Sequence, residues 1–191
     1  MRIVIAGGIG SGKSEVVEIL RNMNRKVISA DDVNRSLLED PKYLKRLNEL
    51  FPTCFEDGKL IKNKLAEIIY NDKYARDKLN AYAHPVIMDK ITEATVDGVW
   101  FIEVPLMKYE YLNIVDSMWF VRAPYDERIA RIVRRDGVSV EEAVRRIKVQ
   151  YEYNGIENHA TDIIDNDGDK TSLKSKVESL CQKLKESQQY L

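Results

Sequence analysis

Eight residues near the amino terminus constrain this chain more than any other feature. Gly7-Gly8-Ile9-Gly10-Ser11-Gly12-Lys13-Ser14 fits the pattern GxxxxGK[ST]. The apolar run Ile3-Val4-Ile5-Ala6 precedes it, and Val16, Val17, Ile19 and Leu20 follow at helical spacing. A strand must therefore feed a glycine-rich turn that opens directly into a helix. Glycines let the backbone curl until several N–H groups point inward, which makes a nest for phosphate oxygens. The following helix adds about half a positive charge at its N-terminus. In that setting Lys13 reaches the outer phosphates of a nucleoside triphosphate, and the Ser14 hydroxyl is placed to ligate Mg²⁺. Gly8, Ile9, Gly10, Ser11, Gly12, Lys13, Ser14 and the adjoining Glu15 are the candidate ATP-binding residues.

The other strand candidates are short and apolar without alternation: Lys26–Ser29, Val99–Val104, Ser117–Arg122 and Thr161–Asp165, beside Arg2–Ala6. Such runs suit strands buried on both faces of a parallel sheet. Helical spacing is predicted over Lys13–Asn22, Asp32–Leu38, Tyr43–Phe51, Asn63–Asn71, Lys73–Ala83, Pro85–Thr95, Tyr125–Asp136, Val140–Tyr151 and Ser172–Ser187. The alternation defines an α/β fold, a five-stranded parallel sheet flanked by helices. From Asp32 to Thr95 the pattern is helical with no strand, as suits an insertion that covers a substrate. The expected organisation is one domain: a core of 1–31, 97–123 and 152–191, a helical acceptor-side insertion at 32–96, and a lid at 124–151. In the last helix Leu173, Val177, Leu180 and Leu184 form one apolar stripe, better suited to packing on its own sheet than to binding a partner.

Composition narrows the partners. The 191 residues carry 30 Lys+Arg against 31 Asp+Glu, a net charge of −1, which removes the global electrostatic case for nucleic acid or a polybasic membrane contact. At 44% hydrophobic and 32% charged, the chain has the makings of a core and a solvated surface. No apolar run approaches the roughly 18–20 residues of a membrane helix. Cys54 and Cys181 stand far apart without CxxC spacing and read as reduced, in a cytoplasmic protein.

Among nucleotide-binding classes, a GTP switch requires NKxD, but Asn63-Lys64 is followed by Leu65-Ala66. A small kinase fits the length, because it needs only a phosphate loop, an acceptor site and a closing lid. The second strand ends at Ala30-Asp31-Asp32-Val33-Asn34-Arg35, where Asp31 and Arg35 share a helical face. Asp31 can accept the proton of an attacking hydroxyl and Arg35 can hold an anionic substrate; alternatively Asp31 or Asp32 simply caps the helix. Arg131, Arg134 and Arg135 before Asp136-Gly137, then Arg145 and Arg146, suit a flap closing on phosphates. Taken singly, each is an ordinary solvated arginine. Ser139 and Glu142 have the spacing of a capping box. Glu103 ends an apolar strand, either beside the loop's magnesium, through water, or incidentally.

Together these residues resemble the dephospho-CoA kinase family over nearly the whole chain. Gly7–Ser14 is similar to its phosphate loop and Asp31 through Arg35 to its acceptor segment. His84-Pro85, Glu103-Val104-Pro105-Leu106-Met107, and Arg131 with Arg135-Asp136-Gly137, Glu141-Glu142-Ala143, Arg146 and Gln150 follow in the family's order. Asp162 to Gly168 resembles its last strand and adenine-side loop. The resemblance implies a P-loop kinase fold and transfer of the ATP γ-phosphate to the ribose 3′-hydroxyl of dephospho-coenzyme A, with Mg²⁺. It implies that Asp31, Lys13, Arg131 and Arg135 are catalytic and that Asn166 and Gly168 make backbone contacts around the adenine. Arg35, Lys62, His84 and Arg146 then belong to the acceptor and phosphate contacts. ATP and dephospho-coenzyme A are the expected partners, with no nucleic acid and no membrane, in a monomer or small homo-oligomer. The chain departs from the family at Ser29, commonly an acid, at Glu15, at Pro52, at Lys62 and in the shifted acid Glu110. The alternatives are another small-molecule or nucleoside-monophosphate kinase, a non-catalytic nucleotide switch, or a nucleic-acid-binding ATPase, which the charge balance disfavours.

Overall fold

In the computed structural model, which describes residues 1–105, 107–150 and 155–188, strands and helices alternate as their burial requires. The chain runs β1 (Arg2–Gly7), α1 (Lys13–Asn22), β2 (Lys26–Ser29), α2 (Ala30–Leu37), α3 (Pro41–Leu50), β3 (Phe55–Glu56), β4 (Lys59–Leu60), α4 (Lys62–Asn71) and α5 (Lys73–Ala94). It continues through β5 (Trp100–Glu103), β6 (Ser117–Arg122), α6 (Tyr125–Asp136), α7 (Val140–Gln150), β7 (Asp162–Asp165) and α8 (Lys170–Gln188). The predicted end of α7 at Tyr151, and Leu106, lie outside the described residues. Two compact units result, one of Met1–Ser29 with Thr95–Leu191 and the other of Ala30–Ala94.

The first unit holds a five-stranded sheet in the order β2-β5-β1-β6-β7, parallel throughout. On β1, Ile3, Val4 and Ile5 are wholly inaccessible to solvent, which is why that run shows no alternation. Consecutive strands depart to opposite sides of β1, so its carboxyl end is a topological switch point, the usual place for a ligand crevice in such a sheet. Val16, Val17 and Leu20 of α1 and Leu173, Val177 and Cys181 of α8 pack with Ile5, Phe101, Trp119 and Ile164 in one core. Leu180 and Leu184 complete the α8 stripe against that core, as its spacing predicts. Each such aliphatic side chain contributes about 1.5–3 kcal/mol on burial.

Helices α6 and α7 form a hairpin with a small core of their own. Ile132, Ala143 and Ile147 are buried, and Ile9 of the glycine-rich loop packs against them. Gly137 turns the chain at φ 65°, a left-handed conformation that closes α6 by donating its N–H to Val133 O. The capping box is half formed: Ser139 Oγ accepts the Glu142 N–H at 3.2 Å, while the Glu142 carboxylate turns to arginines instead.

The second unit corrects the sequence reading twice. A strand-free insertion was expected, yet β3 and β4 form an antiparallel hairpin, with Phe55 opposite Leu60 and Glu56 opposite Lys59. Asp57 (φ 49°) and Gly58 (φ 76°) make its turn, the Asp-Gly pair that two-residue hairpins favour. Strands of two residues are too short to show alternation, so only that dipeptide signals them. A break was also expected between Ala83 and Pro85, but α5 runs through Pro85. Proline deletes one helical hydrogen bond, normally enough to kink or break a helix. Here Ala83 before it and Ile87, Met88 and Ile91 after it are all buried, and α5 packs on α2 and α4, so packing carries the helix across the defect. Within this unit Tyr43 stacks on Tyr82 at 5.0 Å, and burial pushes the Tyr43 phenol up to about 12.

Candidate active site

The phosphate loop is boxed in by its neighbours. Gly12 adopts φ 94°, and a Cβ there would lie 2.1 Å from Asn166 Nδ2, so no other residue fits without displacing a buried side chain. A Cβ at Gly8 would strike Arg128 Nη2 at 2.5 Å. Lys13 folds back, its ammonium donating to Gly7 O and, at 3.2 Å, to Gly8 O. Glu15, in the first turn of α1, pairs with Lys170 at 3.0 Å.

Glu103 ends β5 opposite Ile5 on one side and Ser29 on the other, which brings its carboxylate to the loop. The Ser14 hydroxyl donates to Glu103 Oε1 at 3.4 Å. A hydroxyl and a carboxylate converging at a phosphate loop are hard oxygen donors that suit a divalent cation. Among the described residues no three of His, Cys, Asp and Glu gather around one point.

Five of the six arginines of the α6–α7 hairpin, all but Arg134, fall into two groups. Arg128 and Arg131 point to the loop: Arg128 Nε donates to Ile9 O at 2.9 Å, and Arg131 Nη1 to Ser11 O at 3.2 Å and Gly10 O at 3.5 Å. Arg131 also pairs with Glu127 at 2.6 Å and donates to Asn166 O at 3.0 Å. Arg135, Arg145 and Arg146 instead meet carboxylates of their own hairpin. Arg135 grips Asp136 with two donors, at 2.6 and 2.9 Å, and Arg146 reaches the same carboxylate at 2.9 Å. Glu142 takes Arg145 at 2.7 Å and Arg146 at 3.0 Å. Hydrogen bonds from Arg145 and Arg146 hold the Glu142 carboxyl down to about 2, and Arg135, joined by Arg146, holds Asp136 below the usual range.

After β7, Asn166 is buried, and its side-chain amide donates to Ser11 O at 2.9 Å. The resemblance gave Asn166 a backbone role, so this side-chain contact with the loop is an addition. Gly168 lies in the turn before α8, where a Cβ would make only ordinary contact with Ser172. Beside it Asp165 is gripped by Arg122, which lowers its pKa, and Asp167 is held by Lys176.

Asp31, Arg35, Lys62 and His84 all belong to the second unit. Because α2 begins at Ala30, Asp31 and Asp32 both sit in its first turn, where carboxylates complement the helix dipole. Arg35 pairs with Asp32 at 3.0 Å. Lys62 is exposed at the start of α4, and His84 is half-buried inside α5. The loop contact of Arg128 and the counterion roles of Asp136 and Glu142 were missed; the one available signal was the Glu142-to-Arg145 and Arg146 spacing.

A parallel sheet of this order, with a GxxxxGKS loop at the carboxyl end of its central strand and basic helices beside it, defines a P-loop kinase. The same fold is found in a shikimate kinase from Bacteroides thetaiotaomicron, at TM-score 0.59 and 17% identity over 97% of this chain and 98% of the other. A dephospho-CoA kinase from Campylobacter jejuni superposes with TM-score 0.64 and 25% identity, covering 95% and 96% of the two chains. A Thermus thermophilus protein gives TM-score 0.79 and 28% identity over 96% and 97%. A dephospho-CoA kinase from Carboxydothermus hydrogenoformans is 32% identical over 193 residues, 96% of this chain and 94% of the relative. One from Moorella thermoacetica is 33% identical, over 95% and 91%. The sequence profile of the dephospho-CoA kinases matches residues 1–172. The chain belongs to the dephospho-CoA kinase family, and is thereby an ATP-dependent kinase acting on a hydroxyl group. Among the described residues no helix is long and apolar enough to cross a membrane.

Proposed function

We propose that this chain transfers the γ-phosphate of ATP to the ribose 3′-hydroxyl of dephospho-coenzyme A, giving coenzyme A and ADP, in the cytoplasm. The observation that carries the reading is the phosphate loop with its Ser14–Glu103 pair in a chain whose family match spans 1–172. Ser14 and Glu103, the latter through water, would hold Mg²⁺, which when bound supplies positive charge against the phosphates. Lys13 leaves the loop carbonyls for the outer phosphates. Asp31 orients the attacking hydroxyl and takes its proton, while Arg35, Lys62 and His84 serve the acceptor. Loose phosphoryl transfer leaves a protein little covalent work, so positioning and charge carry the rate. Arg135 and Arg146 contribute by exchanging Asp136 and Glu142 for phosphate oxygens, and Arg131 by meeting the nucleotide from the loop side.

A coupled ADP-release assay with Mg-ATP tests this. Dephospho-coenzyme A is compared with AMP, other nucleoside monophosphates and no acceptor. Turnover with dephospho-coenzyme A alone, yielding coenzyme A by mass, supports the reading. Turnover with a nucleoside monophosphate instead, or none despite tight ATP binding, would overturn it.

A further inference from the structure

The carbonyls of the phosphate loop are each taken by a donor. Lys13 takes Gly7 O and Gly8 O, and the Ser11 N–H also reaches Gly8 O at 3.1 Å. Arg128 takes Ile9 O at 2.9 Å. Arg131 takes Gly10 O, and Asn166 joins it on Ser11 O at 2.9 Å. Glu15 and Val16 N–H groups take Gly12 O as the first turn of α1. No peptide bond of the described residues is cis. In a planar trans peptide the C=O of one residue and the N–H of the next point in opposite directions. Holding Ile9 O and Ser11 O against α6 and the β7 turn therefore turns the Gly10 and Gly12 N–H groups to the loop's other side. That is the side on which a nest binds an anion.

The holders are not equivalent. Lys13 must release its two carbonyls to meet phosphate, whereas the Asn166 amide can keep Ser11 O, since the adenine contacts expected of Asn166 run through its backbone, and Arg128 holds Ile9 O from α6. Arg128 also lies over Gly8, so it confines the loop as well as holding it. Resting on the assignment of Gly7–Ser14 as the ATP phosphate site, we propose that Arg128 and Asn166 are positioning residues for phosphoryl transfer. They fix the Ile9 and Ser11 carbonyls outward, so that the Gly10 and Gly12 amides face the nucleotide phosphates before the nucleotide arrives.

The test uses the full chain with Mg-ADP titrated calorimetrically, alongside steady-state kinetics with Mg-ATP and dephospho-coenzyme A. Arg128→Ala and Asn166→Ala should each weaken Mg-ADP by about three- to tenfold, the range set by losing one preorganising hydrogen bond. The ATP KM should rise in step, with the acceptor KM changing less than about twofold. Arg128→Lys, which keeps one donor for Ile9 O, should recover most of the loss. Unchanged nucleotide affinity, or equal rises in both KM values without rescue by Arg128→Lys, would overturn the proposal. Should burial of Asn166 make Asn166→Ala unstable to folding, the two Arg128 variants decide alone. If the variants shift Mg-ADP binding but the wild type phosphorylates some other acceptor, the positioning role stands and the acceptor assignment falls. If the wild type binds no Mg-ADP, both fall.

Discussion

The phosphate loop and the α6–α7 hairpin lie side by side and solve the same electrostatic problem in opposite ways. Three of the loop's carbonyls, those of Ile9, Gly10 and Ser11, are held from outside it by Arg128, Arg131 and Asn166, with the Asn166 side chain buried. Such long-range contacts in partly buried surroundings hold one geometry. Three of the hairpin's arginines, Arg135, Arg145 and Arg146, are satisfied from within, by Asp136 and Glu142; Arg135 is 62% and Arg145 56% exposed, and Arg146 36%. Ion pairs whose guanidinium is as exposed as those of Arg135 and Arg145 contribute little to stability. On the reading proposed above, the loop is set before ATP binds, while Arg135 and Arg146 exchange their carboxylates for phosphate. Ile9 joins the two regions, since it belongs to the loop and packs in the hairpin core.

The contrast breaks most severely at the loop. Gly12→Ala should abolish turnover, because the residue must hold φ 94° against Asn166, and calorimetry should find Mg-ADP binding lost with it. Lys13→Ala should lower kcat by about 10²-fold or more, through lost charge stabilisation, while the protein stays folded by circular dichroism. Asp31→Asn should cost about 10²-fold in kcat by removing the proton acceptor, with ATP KM nearly unchanged. Full turnover in either variant would remove that residue from its role. A subtler expectation concerns the hairpin. The double variant Asp136→Asn, Glu142→Gln frees its arginines for phosphate, so the ATP KM should fall about two- to threefold, with the melting temperature moving by less than about 4 °C. A rise in KM would mean that the carboxylates position the arginines instead of storing them.

The smallest expected effect is in acid. The Glu142 carboxyl is depressed to about 2 by Arg145 and Arg146. A depressed acid contributes its stability above its unfolded value, about 4.3, and loses it as pH falls through the folded value. Pairing in the hairpin should therefore persist between about pH 4.3 and 2, and activity lost above that window has another cause. The carboxyl carbon shift of Glu142 followed by NMR gives the midpoint. A value near 4.3 would show that the arginines do not hold it.

How much of this was legible depends on how local each determinant is. The five sheet strands stood out because β1, β5 and β6 are buried on both faces, and the α8 stripe because its residues recur at 3.6 spacing. The glycine-rich loop was fully legible, since its motif, strand and helix are contiguous. The β3–β4 hairpin was not, because two-residue strands carry no period. The continuity of α5 was hidden because the burial of Ala83 and Ile87 outweighs the rule against Pro85. Arg128 and Ile9 lie 119 positions apart, and Arg146 and Asp136 ten apart across a turn. Nothing in the composition of α6 separates an arginine that holds the loop from one that pairs with its own hairpin.

Side-chain NMR of the arginine Nε–Hε groups, without and with Mg-ATP, reads the contrast directly. Large shifts at Arg135 and Arg146, as they leave Asp136 and Glu142, with Arg128 nearly unmoved, are the predicted result. A large shift at Arg128 with Arg135 and Arg146 still on their carboxylates would contradict it, placing the mobility in the loop and the rigidity in the hairpin.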